Sequence, residues 1–346
     1  MNAFTKRLGL DAPLIQAPMA GVQAGRLAAA VSAAGALGSL PCAVLTAETM
    51  AKEIELVRAT TRRALNVNFF CHVAPDPDAA REAAWRRALA PYYAEFGLDA
   101  GKIPAGAGRA PFDGDFADAL EAFKPEVVSF HFGLPTEALV RRVKSWGSLV
   151  IASATTVEEA KWLEAHGADA VIAQGLEAGG HRGIFLGDDL TTQVSTLALV
   201  PQVAAAVAVP VIAAGGIADA RGVAAALSLG ASAVQVGTAF LLCEEATTTP
   251  LHRAALKSEA ARHTALTNLF TGRPARGIVN RLMRELGPIS AAAPEFPLAT
   301  AALAPLRAKA EAAGRGDFTS MWAGQNTSGC REVPAAELVS GLAALL

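Results

Sequence analysis

The chain has 346 residues, 52% of them hydrophobic and 18% charged, with a formal net charge of -2, so it can bury a sizeable core without cross-links. No lysine- or arginine-rich block is present to neutralise phosphates, which excludes nucleic acid and anionic membrane surfaces as partners and favours a small ligand. Cys42, Cys71, Cys243 and Cys330 stand singly, with neither a CxxC nor histidines at ligand spacing, so reduced thiols and no metal site are expected. The N-terminus, MNAFTKRLGLDAPLIQ, lacks the apolar segment of a secretory signal, and a cytoplasmic location is expected.

From there, short apolar runs alternate with alanine-rich helical stretches. A strand over 14–17 precedes a helix over 26–34, a short strand falls near 36–40, and LNVNFF (65–70) precedes another helical region. Further strands are VVSFH (127–131), LVIA (149–152, followed by a helix over 158–166), AVIA (170–173), 209–213 and 233–236. The apolar stretch 197–214 is crossed by Pro201, Gln202 and Pro210, and reads as helix, turn and strand, not as a membrane helix. About eight strand-helix units whose strands are apolar on both faces predict an α/β fold, the (β/α)8 TIM barrel. A doubly wound open sheet is the alternative. The units continue past six and no GxGxxG opens the first helix, which favours the barrel.

Two stretches break the rhythm. Residues 75–125 form a long excursion with a helix over 78–90. Residues 244–312 follow the eighth strand and predict a smaller, mainly helical cap or substrate region. This leaves 1–243 as the barrel and 313–346 as a C-terminal segment, its helix over 335–345 packing back on the barrel.

In such barrels the site is built from the loops at the C-terminal strand ends, with a phosphate site after strands seven and eight. Here VIAAGGI (211–217) and VQVGT (234–238) put Gly215, Gly216 and Gly237 at those ends. Without Cβ, their backbone N–H groups can approach an anion. Singly each glycine is as readily a turn; the pair predicts a phosphate cradle. GLEAGGHRG (175–183) follows strand six, where Gly179 and Gly180 let the main chain pass close to a flat ligand. His181 then projects over that ligand, titrating near ~6.5; a histidine on a surface turn is the alternative. His131 ends strand four and is either a hydrogen-bonded barrel-core histidine or a substrate contact. Asn68 and Gln174 end strands three and six and offer amides to the edge of a heterocycle. His72, His166, His252 and His263 are expected at the surface or behind the site.

APMAG (17–21), NVNFF (66–70), HFG (131–133), EAGGHRG (177–183), AAGGI (213–217), QVGTAFL (235–241), FTGRPARG (270–277) and MWAGQ (321–325) together resemble the flavin-dependent nitronate monooxygenases, formerly 2-nitropropane dioxygenases. The last two stretches resemble the bacterial class I branch, and the likeness runs from residue 13 to about 330. It implies an FMN-binding barrel that oxidises alkyl nitronates, propionate 3-nitronate among them, with O2 to a carbonyl compound and nitrite. By position it implies that Met19, Ala20 and Gly21 line the isoalloxazine, and that Asn68, Gln174, Gly179, Gly216, Gln235, Val236, Gly237 and Thr238 hold the FMN. The Gly-Gly pairs, Gly180 and Gly215 included, and the Gly-Thr backbone would take the phosphate.

The same likeness makes His181 the base or the group that stabilises the anionic substrate, with His131 nearby. One departure concerns the cap, where that branch places tyrosines. The only tyrosines here are Tyr92 and Tyr93, and Phe296 stands in the corresponding stretch. Arg273 and Arg276 are candidates for anion recognition or for surface ion pairs. The expected partners are a small anionic nitronate and O2, with the chain a monomer or homodimer. NAD(P)H-dependent flavin reductases of the quinone reductase or enoyl-acyl-carrier-protein reductase type share the scaffold and form the alternative; the latter carry a similar GGH loop. A non-catalytic barrel that only binds a phosphorylated ligand predicts that His181 is dispensable.

Overall fold

In the computed structural model, which describes residues 2–103 and 109–346, eight short parallel strands close into a barrel. Counting barrel strands only, these are β1 Leu14–Gln16, β2 Gly38–Pro41, β3 Leu65–Phe70, β4 Val127–His131, β5 Leu149–Ala154, β6 Ala170–Gln174, β7 Val211–Ala214 and β8 Ala233–Val236. Neighbours in sequence are neighbours in space, and β8 lies beside β1. A parallel bridge from Ile15 to Leu37, with the Gln16 N–H donating to Leu37 O at 2.9 Å, joins β1 to the start of β2 and completes the ring. The fold is a TIM barrel, as the repeat of strands and helices predicts.

The two-residue period of each strand sorts its side chains. In β3, Leu65, Val67 and Phe69 enter the main core beneath the surrounding helices, leaving Asn66, Asn68 and Phe70 on the opposite face. Inside the barrel, Ile15, Leu37, Leu149, Ile151, Ile172 and Ile212 form an apolar cluster with Phe4, Leu8 and Leu10. The short helix Ala3–Arg7 covers that end, and Asn2 Nδ2 donates to Ser232 O at 2.6 Å. The last positions on the barrel-facing side of their strands are polar: His131 on β4, Ser153 on β5, Gln174 on β6. Apolar filling at one end and polar groups at the other give the barrel a chemically active mouth.

The excursion divides between two cores. Helix Gly114–Glu121 places Phe116 and Leu120 on the barrel. Helix Ala79–Glu95 instead packs Trp85, Leu89, Tyr92 and Tyr93 against Leu269, Phe270, Leu303, Leu306 and Phe318 of the later chain. The regular elements of the stretch 244–312 are mainly helical, as expected, with a short pair of strands added. Beside helices Pro250–Leu256, Arg281–Leu286 and Ala299–Ala312 it carries antiparallel strands Thr264–Thr267 and Ala275–Ile278. Each strand has four residues, too few to show a period in the sequence. The C-terminal helix Ala335–Leu342 buries Ala335, Leu338, Val339 and Leu342 in the main core, beside helices Gly25–Ala33 and Ala220–Ser228. Among the described residues, no helix is long and apolar enough to cross a membrane.

Candidate active site

Three separated segments meet in one small sheet over the mouth. Gly180–His181 pairs antiparallel with Ala275–Ile278, with His181 opposite Ala275 and Gly180 opposite Arg276. The Arg182 N–H donates to Pro274 O at 2.8 Å, and Gly277 forms a bridge with Trp322. A Cβ on Gly179 would lie 2.5 Å from Gly324 N and 2.6 Å from the Ala323 carbonyl carbon. The histidine loop and the 321–325 segment therefore touch backbone to backbone, which requires glycine.

The loop is held from inside the barrel. His181 O accepts from Gln174 Nε2 at 3.0 Å and from His131 Nε2 at 3.2 Å. Gln174 Oε1 accepts the Gly183 N–H at 2.8 Å, and His131 Nδ1 lies 3.1 Å from Ser153 Oγ. Because His131 Nε2 must carry the proton to bond a carbonyl, Nδ1 accepts from the serine hydroxyl and the ring is neutral. Burial pulls its pKa down to about 3, opposed by the bond to His181 O and reinforced by Arg273 and Arg182. Of the two readings open for His131, the hydrogen-bonded core histidine matches this geometry. Phe132, next to it, adopts φ 70, a left-handed conformation rare for a bulky side chain and a marker of local strain.

Arg182 is fully buried. Its guanidinium donates to Gly175 O at 2.6 Å, Gln174 O at 2.7 Å and Gln193 Oε1 at 3.0 Å. Burial lowers its pKa to about 10, which leaves it charged at neutral pH. Gln193 Nε2 donates to Thr155 Oγ1 at 3.0 Å. The buried Glu159 carboxylate accepts from Thr155 N, Thr155 Oγ1 and Phe185 N at 2.7, 2.7 and 2.6 Å. This polar network staples both ends of the histidine loop to β5 and β6.

Above the loop, His181 Nε2 lies 3.0 Å from Thr271 Oγ1. Its ring centroid is 6.0 Å from that of Phe70, 5.9 Å from Phe132, 5.4 Å from Phe296 and 5.6 Å from Trp322. Arg273 stacks over Phe132 at 4.1 Å and donates to Ile184 O at 2.7 Å. Burial, then Arg109, His131, Arg273 and His72, hold the His181 pKa well below that of free imidazole. The ring is therefore neutral at pH 7.

Four side chains left open between a surface place and one at or behind the site lie away from the surface. His72 is buried, not on the surface, and meets Phe296 edge-on at 4.8 Å. His252 is buried too, with its pKa lowered to about 4 by burial against an opposing bond to the Trp322 backbone. Arg276 is buried and donates to Leu176 O at 3.0 Å and Thr264 O at 3.3 Å, so it ties the cap sheet to the loop. Arg273 likewise makes no surface ion pair among the described residues. His166 is exposed and stacked on Trp162 at 3.8 Å, and His263 is exposed. Tyr92 and Tyr93 belong to the cap core, Tyr93 donating to Ala302 O at 2.7 Å, whereas Phe296 lies at the mouth.

The remaining predicted residues surround the same mouth. Asn68 Nδ2 donates to Ser129 Oγ at 2.9 Å. Met19 N–H donates to Gln23 Oε1 at 3.1 Å, and Gln23 Nε2 to Ser39 O at 2.6 Å. Gln23 thus fixes the turn that holds Met19, Ala20 and Gly21, and no motif marks it in the sequence. Gly215 and Gly216 have φ 122 and 70, conformations open to glycine. A Cβ on Gly237 would meet Ala17 Cβ at 3.2 Å and Met19 Sδ at 3.5 Å, so the loops after β8 and β1 abut. Val236 is the buried last residue of β8, and Thr238 Oγ1 accepts the Gly324 N–H at 2.9 Å. Gln235 Oε1 is buried without a partner among the described residues. Such an acceptor calls for an N–H donor, and a flavin ring carries one. Donor chemistry and glycine cradles both fit a flat, phosphorylated heterocycle.

Barrel, cap and a neutral imidazole facing a glycine-lined mouth define a capped (β/α)8-barrel enzyme. The sequence profile of the family described as nitronate monooxygenase matches residues 2–344. A nitronate monooxygenase from Pseudomonas aeruginosa is 46% identical, with 99% of this chain and 98% of that one covered. The solved nitroalkane oxidase from Streptomyces ansochromogenes is 40% identical at a TM-score of 0.89, covering 100% of this chain and 98% of the other. FabK from Thermotoga maritima is 28% identical at a TM-score of 0.74, covering 100% and 96%. The chain belongs to the nitronate monooxygenase family and is a flavin-dependent oxidoreductase.

Proposed function

We propose that this enzyme binds FMN across the barrel mouth and oxidises alkyl nitronates, propionate 3-nitronate among them, with O2 to a carbonyl compound and nitrite. The observation that carries this reading is the neutral His181 imidazole, clamped over a mouth that also contains the unpartnered Gln235 acceptor. Met19, Ala20, Gly21, Asn68 and Gln235 would hold the ring system. Gly179, Gly180, Gly215, Gly216, Gly237 and Thr238 would present backbone N–H groups to the phosphate. Bound FMN supplies the electron transfer.

The side chains supply binding, orientation and proton handling. Thr271 Oγ1 has an acceptor in Arg273 O at 3.4 Å, so it donates there and accepts from His181 Nε2–H, leaving the lone pair on Nδ1. That lone pair takes the proton from the carbon next to the nitro group of a neutral nitroalkane, and the resulting imidazolium pairs with the nitronate. A preformed nitronate needs only the orientation and the charge stabilisation. Gln174, His131 and Arg182 position the loop, and Phe70, Phe132, Phe296 and Trp322 exclude water from the imidazole.

The test is product analysis with purified protein supplied with FMN: O2 uptake and nitrite release with propionate 3-nitronate, against NADH oxidation in parallel. Nitrite release without NADH consumption is expected. NADH oxidation without nitrite would make the protein an NAD(P)H-dependent flavin reductase on the same scaffold.

A further inference from the structure

We propose that the cap side of the mouth contains an anion subsite, built on Arg109, Arg307 and Ser320, that binds a carboxylate carried by the nitronate substrate. The proposal rests on the nitronate reading and specifies which nitronates the site selects. Arg109 and Arg307 line a cavity of about 30 Å³ together with Phe270, Thr271, Thr300 and Ser320. This is room for a compact anionic group and not for a ring. Arg109 is half-buried, its guanidinium carbon 5.4 Å from the Phe296 ring centre. Burial lowers its pKa, and the charge acting on it is a second cation, Arg307.

Neither arginine has an ion-pair partner among the described residues, and the preceding segment 104–108, PAGAG, contains no acid. The contrast with the other arginines of the site is chemical. Arg182, Arg273 and Arg276 spend their guanidinium groups on main-chain carbonyls. Two cations that face each other across a small cavity, one of them half-buried, repel unless an anion joins them. A planar carboxylate accepts from guanidinium groups in a charge-assisted geometry.

The hydroxyls define which groups can contribute. Thr300 Oγ1 donates to Phe270 O at 3.0 Å and Thr271 is committed to His181 and Arg273, so Ser320 supplies the remaining hydroxyl of the cavity beside the two guanidinium groups. Thr271 also fixes the layout: its hydroxyl holds His181 Nε2 while its side chain lines the cavity. A substrate with its nitronate at His181 and a carboxylate a short carbon chain away spans the two.

The experiment compares KM for propionate 3-nitronate and for propyl-1-nitronate, which has a methyl group where the former has its carboxylate. It uses wild type, Arg109→Gln, Arg109→Lys and Arg307→Gln, each with its flavin absorbance recorded. In wild type the carboxylate substrate should have the lower KM by about tenfold, the scale of one charge-assisted hydrogen bond. That ratio should collapse toward one in Arg109→Gln, recover in part in Arg109→Lys, and shrink in Arg307→Gln. Arg307 is exposed, so its variant decides the matter if Arg109→Gln fails to fold. Equal KM values in wild type, or a ratio unmoved by both glutamine variants, would overturn the subsite and leave nitronate oxidation standing. No nitrite from either compound would overturn both.

Discussion

Two arginines of one site, Arg182 on the histidine loop and Arg109 in the excursion 75–125, are fully and half buried, and their surroundings differ. Arg182 meets three acceptors, two of them main-chain carbonyls where its own loop leaves β6. Arg109 faces Arg307 and an aromatic ring. The first arrangement is complete within the chain, and it makes the loop around His181 rigid. The second is completed by an anion from outside. A buried charge is therefore informative through its partners: one satisfied by carbonyls holds structure, and one facing a like charge binds a ligand.

The largest expected effect tests what the rigid loop is for. His181→Asn should retain the flavin spectrum and lose ~10²–10⁴-fold in turnover of neutral nitroalkanes, with a smaller loss on preformed nitronates. Equal loss on both, measured by nitrite release, would reject the role as base. Next, Arg182→Leu strands three acceptors and should destabilise by about 3 kcal/mol in urea unfolding. A change under about 1 kcal/mol would show that the loop is held by its other bonds.

Acid should act on the buried histidines of both regions. His131 and His252 titrate at about 3 and about 4 in the folded chain, below the ~6.5 of an unfolded imidazole. As pH falls, the unfolded state takes up protons first. Stability is therefore full above about pH 6.5 and declines from there toward pH 4. Urea midpoints across that range should trace the decline, with a shallower slope in His252→Phe. The smallest effect lies in the cap core. Tyr93→Phe removes one bond to Ala302 O and should cost about 1 kcal/mol with no change in kcat or KM. A kinetic defect there would place a phenol in the chemistry after all.

The barrel was legible because each strand is a continuous apolar run and glycines mark the ends of β7 and β8. Asn68, His131 and Gln174 were legible at the mouth because they stand at the ends of their strands, and Gln235 only through the family resemblance. That Gln174 and His131 both bond His181 O was not, because it depends on how the loop returns across β4 and β6. Helix Ala79–Glu95 was visible as a helix, but its packing partner, Ala299–Ala312, lies some two hundred residues further on, and no local pattern names it. His72, His252 and Arg109 carried no signal because nothing in a single sequence marks which loop residues become buried.

The central claim is that FMN occupies this mouth and is reduced by a nitronate. The direct test is the visible spectrum of the purified protein under anaerobic conditions, before and after propionate 3-nitronate, with NADH in a parallel cuvette. Flavin bands that change with the nitronate and not with NADH are the predicted result. Bands bleached by NADH alone, or no flavin retained after FMN is supplied, would contradict it.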